Sequence, residues 1–176
     1  VAQLVVTTLG FCVVVVNQFA EYSWRRKQNA VGMLAEWNRQ TGDHRVGIDR
    51  FFPGLLDTAG PRSEVSLSEE EASDLYLSTY RGSPELFDTK RHIEEILNYC
   101  EFIAVSALND VADLDILAGS FFATIHVWYH ELEPYIRVAK YHQGYDPWTP
   151  LGVFIAQIPS HCPVCLGTYG RSGGAT

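Results

Sequence analysis

The chain has 176 residues, 47% of them hydrophobic and 19% charged, and carries a net charge of −8. That length holds one anchor and one domain of ordinary size, and the acidic balance argues against a general nucleic-acid-binding surface. The four cysteines make no disulfide framework. Cys12 and Cys100 sit in apolar runs, where free Cys acts as a small buried hydrophobe, and a reducing compartment fits.

The first sixteen residues, VAQLVVTTLGFCVVVV, carry no charge, and Arg25-Arg26-Lys27 follow within ten residues. A helix rises about 1.5 Å per residue, so a hydrocarbon layer of about 30 Å takes roughly 20 apolar residues. The pattern predicts a transmembrane helix over 1–20 in a single-pass protein of the inner membrane. Arg25, Arg26, Lys27 and Arg39 mark its C-terminal side as cytoplasmic. The lipid bilayer is then the expected partner of 1–20, and the basic cluster suits anionic headgroups. Three readings compete. A Val-rich run is also strand-like, but no second run of similar quality exists to pair with it. A signal peptide needs a basic start and a small-x-small cleavage site, which this stretch lacks. The third is the core helix of a soluble protein.

Beyond 1–20 the expected class is all-α, a small cytoplasmic helical bundle. A juxtamembrane helix is predicted over 21–40, ended by Thr41-Gly42-Asp43, and a Gly- and Pro-containing connecting segment over 41–65. The bundle is predicted over 66–158. Ser68 and Glu71 form a capping box that starts a helix running to about Tyr80, where Gly82 stops it. Ser83-Pro84-Glu85 starts the next, with Ile93, Ile96, Leu97, Cys100, Ile103, Ala104, Ala107 and Leu108 on one face. A further helix begins near Asp113 and carries the stripe Leu117, Phe121, Ile125, Trp128, Leu132, with Trp128 as its core anchor. Pro134 must kink or break it, because proline removes a helix hydrogen bond and clashes with the preceding turn. Helix resumes over Tyr135–His142, Gly144 ends it, and a short helix at Leu151–Ala156 follows. The Gly- and Ser-rich tail over 159–176 is predicted to be disordered. The acidic runs Glu69-Glu70-Glu71 and 110–115 read as solvated helix starts.

Candidate sites are few. Glu101 is the one charge in the most apolar helical stretch, and a buried carboxylate needs a partner or takes up a proton. Arg137 is the expected partner, in a structural pair that fixes how two helices pack. His126 and His130 have the i,i+4 spacing that can hold a metal, but Val127 stands where a zinc protease has its Glu, so surface histidines are expected. Cys162 and Cys165 make one C-x-x-C, half of a zinc site. Arg137 and His142 echo the Arg-x4–6-His motif of the helical ribonucleases called higher eukaryote and prokaryote nucleotide-binding domains, although Val138 replaces the polar residue usual after the Arg. No glycine-rich phosphate loop and no G-x-S-x-G occur.

The sequence LNYCEFIAVSALNDVADLDIL followed by FFATIHVWYHELEPYIRVAK resembles the bacterial domain-of-unknown-function family 4760. The match lies in Leu97, Asn98, Glu101, Ile103 and Ala104, an acidic turn, Trp128, and an ending like Pro-x-Ile-x-x-x-Arg at Pro134. Arg137 sits one place closer to Pro134 than that ending has it, and Ser106 replaces a usual Gly. The resemblance covers 80–155 well and 1–40 in general character, and it implies a fold and a membrane location but no activity. The expected function is therefore a membrane-anchored interaction or regulatory module without catalysis or cofactor. Its partner would be an unknown protein or a second copy of the chain. The alternatives are a ribonuclease-like enzyme using Arg137 and His142, and a zinc protein using Cys162 and Cys165.

Overall fold

The computed structural model describes residues 2–57 and 66–157, with side chains from residue 11 onward except those of 80 and 81. All regular structure in these residues is helical. The order is α1 (Ala2–Asp49), α2 (Glu69–Arg81), α3 (Pro84–Leu108), α4 (Leu114–Glu131), α5 (Glu133–Gln143) and α6 (Thr149–Gln157). The disordered tail expected over 159–176, with Cys162 and Cys165, lies outside the described residues.

Local chemistry sets most of the boundaries. The Ser68 hydroxyl accepts from the Glu71 amide at 3.2 Å, and the Glu71 carboxylate accepts from the Ser68 amide at 2.9 Å. Two orphan amides at the start of α2 are thereby satisfied. Gly82 and Gly144 end α2 and α5 in the left-handed region, at φ 69° and 74°, where a side chain would strain the backbone. Pro84 stands in the first turn of α3, and Asp113 caps α4 by accepting from the Ile116 amide at 3.2 Å. Pro134 divides the helical run after Trp128. α4 stops at Glu131, Leu132 is the junction, and α5 begins at Glu133 with the proline in its first turn.

α1 departs from expectation in two ways. It does not stop at Gln40 but continues to Asp49. Thr41 is buried and turns its hydroxyl back to the Trp37 carbonyl at 2.9 Å, so it extends the helix instead of ending it. The true end is at Phe51-Phe52-Pro53, where Phe52 donates to Ile48 and the proline forbids another turn. The second departure concerns the membrane. Among the described residues no helix is long and apolar enough to cross one, which corrects the transmembrane helix expected over 1–20. The apolar run is interrupted by Gln3, Thr7, Thr8, Asn17 and Gln18, and the charged Glu21 follows it.

The core lies where the second half of α1 meets α3 and α4. Trp37 stacks on Trp128 with ring centres 5.1 Å apart and packs against Phe121 at 4.6 Å and Tyr99 at 5.8 Å. Trp128 is buried and its indole N–H donates to the Leu56 carbonyl at 3.0 Å, which ties the end of the first helical unit to α4. α2 packs on α3 and α5, and α6 closes the other side of α3 through Leu151, Phe154 and Ile155.

Two glycines of α1 separate helix propensity from packing. A Cβ at Gly32 would meet nothing within 4 Å, whereas one at Gly47 would stand 2.3 Å from the His92 ring. Gly32→Ala is therefore expected to stabilise the fold by about 0.5–1 kcal/mol, the ordinary gain in a helix. Gly47→Ala should instead cost about 1–3 kcal/mol through overpacking. Urea denaturation of the two variants measures both signs, and a gain in stability at position 47 would contradict the packing described.

Candidate functional site

Between Phe11 and Asn29 no residue of α1 is buried; the first is Ala30. Over this stretch Phe11, Val13, Val14, Val16, Phe19, Tyr22 and Trp24 are all exposed, the two phenylalanines at 70%. At 100° per residue these side chains spread over most of the helix, while Asn17, Gln18, Glu21 and Arg25 share one flank. Among the described residues nothing buries the apolar side chains of this stretch.

The free stretch ends at a clasp. The turn between α3 and α4 reaches back to α1: the Asp113 amide donates to the Arg26 carbonyl at 3.1 Å, Asn29 donates to the Val111 carbonyl at 2.8 Å, and the Tyr22 hydroxyl donates to the Asp110 carbonyl at 3.2 Å. Arg26 pairs with the Asp110 carboxylate at 3.1 Å and lies over the Tyr22 ring at 5.8 Å. Asp110 adopts φ 57°, the one non-glycine positive φ among the described residues, and this conformation presents both its carbonyl and its carboxylate to α1. The acidic run is thus a structural contact at Asp110 rather than only a solvated helix start. Of the basic cluster, Arg26 is committed to the clasp. Arg25 makes an exposed i,i+4 pair with Glu21, the kind of contact worth little in water.

The sequence-level candidates fall elsewhere. Arg137 is exposed and bonds the carboxylates of Glu69 and Glu133, not that of Glu101. Glu101 is half-buried near Asp146, and burial first, then the Asp146 charge, raises its carboxyl above the usual range. Arg137 and His142 do line one shallow depression between α2 and α5. The guanidinium there already serves two carboxylates, which a phosphate would have to displace, and His142 stacks flat on Tyr76 with ring centres 4.9 Å apart. His126 and His130 lie with rings 4.4 Å apart on α4. Among the described residues no group of three or more His, Cys, Asp or Glu side chains is placed to hold a metal ion. Trp128 is buried within the core.

The family described as Domain of unknown function (DUF4760) matches residues 4–146 of this chain. The chain belongs to that family. The match takes in the exposed stretch from Phe11 to Asn29 as well as the bundle through Asp146. No curated protein and no solved structure matches this DUF4760 chain.

Glu101 has a checkable consequence. Its folded-state pKa is raised, so the fold binds its proton more readily than the unfolded chain does, and ionisation above the usual value of 4.5 works against folding. Glu101→Gln removes the charge and is expected to raise the melting temperature at pH 7, with the difference closing as pH falls below that value. A lower melting temperature at pH 7 would mean that the carboxylate is stabilised by a partner after all.

Proposed function

We propose that this protein is a non-catalytic helical interaction module held at a lipid bilayer by the free stretch of α1. The observation that carries this reading is the exposure of Phe11, Val13, Val14, Val16, Phe19, Tyr22 and Trp24 on a stretch of helix that, among the described residues, no other element buries. Each such side chain gains about 1.5–3 kcal/mol on leaving water, so an occupant is strongly favoured. The apolar side chains spread over most of the helix beside a polar flank of Asn17, Gln18, Glu21 and Arg25, and this pattern favours a helix lying in the membrane interface. Tyr22 and Trp24 have the amphipathic rings suited to the headgroup level. Arg25 and Lys27 follow within one turn, and each basic residue near an anionic leaflet is worth about 1 kcal/mol. The anionic cytoplasmic leaflet is the surface this charge suits. The bundle then stands beyond the headgroups and presents its flank to a protein partner.

Co-sedimentation with phosphatidylcholine vesicles, with and without added phosphatidylglycerol, tests this. The full chain is expected to bind both, and the anionic vesicles more tightly. The Val14→Glu/Phe19→Glu variant should lose binding several-fold with an unchanged melting temperature, because neither side chain is packed in the fold. Equal binding by the variant would overturn the reading. So would a chain that ignores vesicles and forms a stable dimer that the variant breaks, which would give the segment to a second copy.

A further inference from the structure

The C-terminal quarter of α1 is held to α3 by a contact with no counterpart elsewhere in the described residues. His44 of α1 and His92 of α3 face each other with their Nδ1 atoms 2.9 Å apart. The ring centres are 5.2 Å apart, close to that distance plus two ring radii, so the two nitrogens meet head-on. Lone pairs in this arrangement do not converge on a third point, and the geometry is that of one N–H donating to one bare nitrogen. Only one proton can occupy the gap, because an imidazolium carries hydrogen on both nitrogens and has no acceptor left. The rings cannot easily turn away: a Cβ at position 47 would already stand inside the His92 ring, so that ring packs directly on the α1 backbone at Gly47.

We propose that the His44–His92 contact is an acid-sensitive latch that releases the C-terminal quarter of α1 from α3 when both imidazoles become charged. The surrounding charges favour release. On α3, Asp88 supports a charge on His92 while Arg91 opposes it; on α1, Arg50 and a charged His44 both oppose it. Burial is the largest influence on His92 and, with these charges, lowers its pKa below the usual 6.5. For a histidine lowered in the fold, the contact's stability is fully present above the unfolded value. It is lost as pH falls from there through the folded value. The segment that the latch holds is connected to the core. Arg45 lies over the Trp128 ring at 5.5 Å, and Trp128 donates to the Leu56 carbonyl just beyond α1. Loosening at His44 therefore reaches the turn over 50–57 through Arg45 and Trp128. In regulatory terms, acid would free the end of the helix opposite to the free apolar stretch.

Hydrogen exchange followed by mass spectrometry on the full chain, at pH 7.5 and pH 5.0 and corrected for intrinsic rates, tests the latch. Exchange over 42–57 is expected to rise several-fold in acid, while α3 over 93–107 changes much less. In His92→Gln, which keeps a polar group that cannot titrate, the acid response of 42–57 should be lost. An unchanged segment in wild type, or an equal response in the variant, would overturn the proposal. Should that variant fail to fold, NMR titration of the wild-type imidazoles decides. A His92 that protonates above 6.5, or both rings titrating independently, would also overturn it.

Discussion

The length of α1 constrains everything else in this molecule. Forty-eight residues of helix extend about 72 Å, whereas α3, the longest helix of the bundle at 25 residues, extends about 38 Å. Helices antiparallel to α1 can cover only about half of it. The half that is covered begins at Ala30 and carries Met33, Trp37, Thr41 and Ile48 into the core. Between Phe11 and Asn29 no residue is buried, and the apolar side chains there must find an environment that the described bundle does not supply.

The boundary between the halves is built, not accidental. Tyr22, Arg26 and Asn29 are all engaged by one turn of chain between α3 and α4, with Asp110 held in a conformation that costs a non-glycine residue energy. That clasp fixes the angle at which α1 leaves the bundle. It also removes Arg26 from the basic cluster and leaves Arg25 and Lys27 facing outward. At the far end, the His44–His92 contact and the Trp128–Leu56 bond hold the last turns of α1 and the chain that follows. α1 is thus pinned near both ends of its packed half, with the aromatic stack around Trp37 between the pins.

Much of this architecture was legible in the sequence because it depends on local chemistry. The Ser68–Glu71 box, Pro84, Asp113, Gly82 and Gly144 each act within a few residues, and the helix boundaries they imply are those observed. What depends on distant partners was not legible. Gly42 reads as a stop, but Thr41 finds the Trp37 carbonyl and the helix runs on to a glycine that His92 requires. Glu101 and Arg137 read as a pair because a buried carboxylate needs a partner and Arg137 follows the proline kink. In the fold, α2 brings Glu69 to Arg137, and the loop before α6 brings Asp146 near Glu101. The clasp at Asp110 and the histidine contact join residues 84 and 48 positions apart, and no local pattern announces either. The apolar run at the N-terminus was plain, but among the described residues no helix is long and apolar enough to cross a membrane.

Native thiols offer the most direct measurement of the claim that the free stretch of α1 is covered by lipid. Cys12 is exposed in that stretch, while Cys100 is buried and its thiol is pushed far above the usual range by burial, so it resists labelling. With Cys162 and Cys165 changed to Ser, a nitroxide label attaches at Cys12 alone. Its relaxation is then read against oxygen, which partitions into lipid, and against a water-soluble nickel chelate. On adding phosphatidylcholine–phosphatidylglycerol vesicles, the label should pass from chelate-accessible to oxygen-accessible. A label that stays in contact with the chelate at saturating vesicle concentration would contradict the claim, and the exposed helix would then belong to a protein partner.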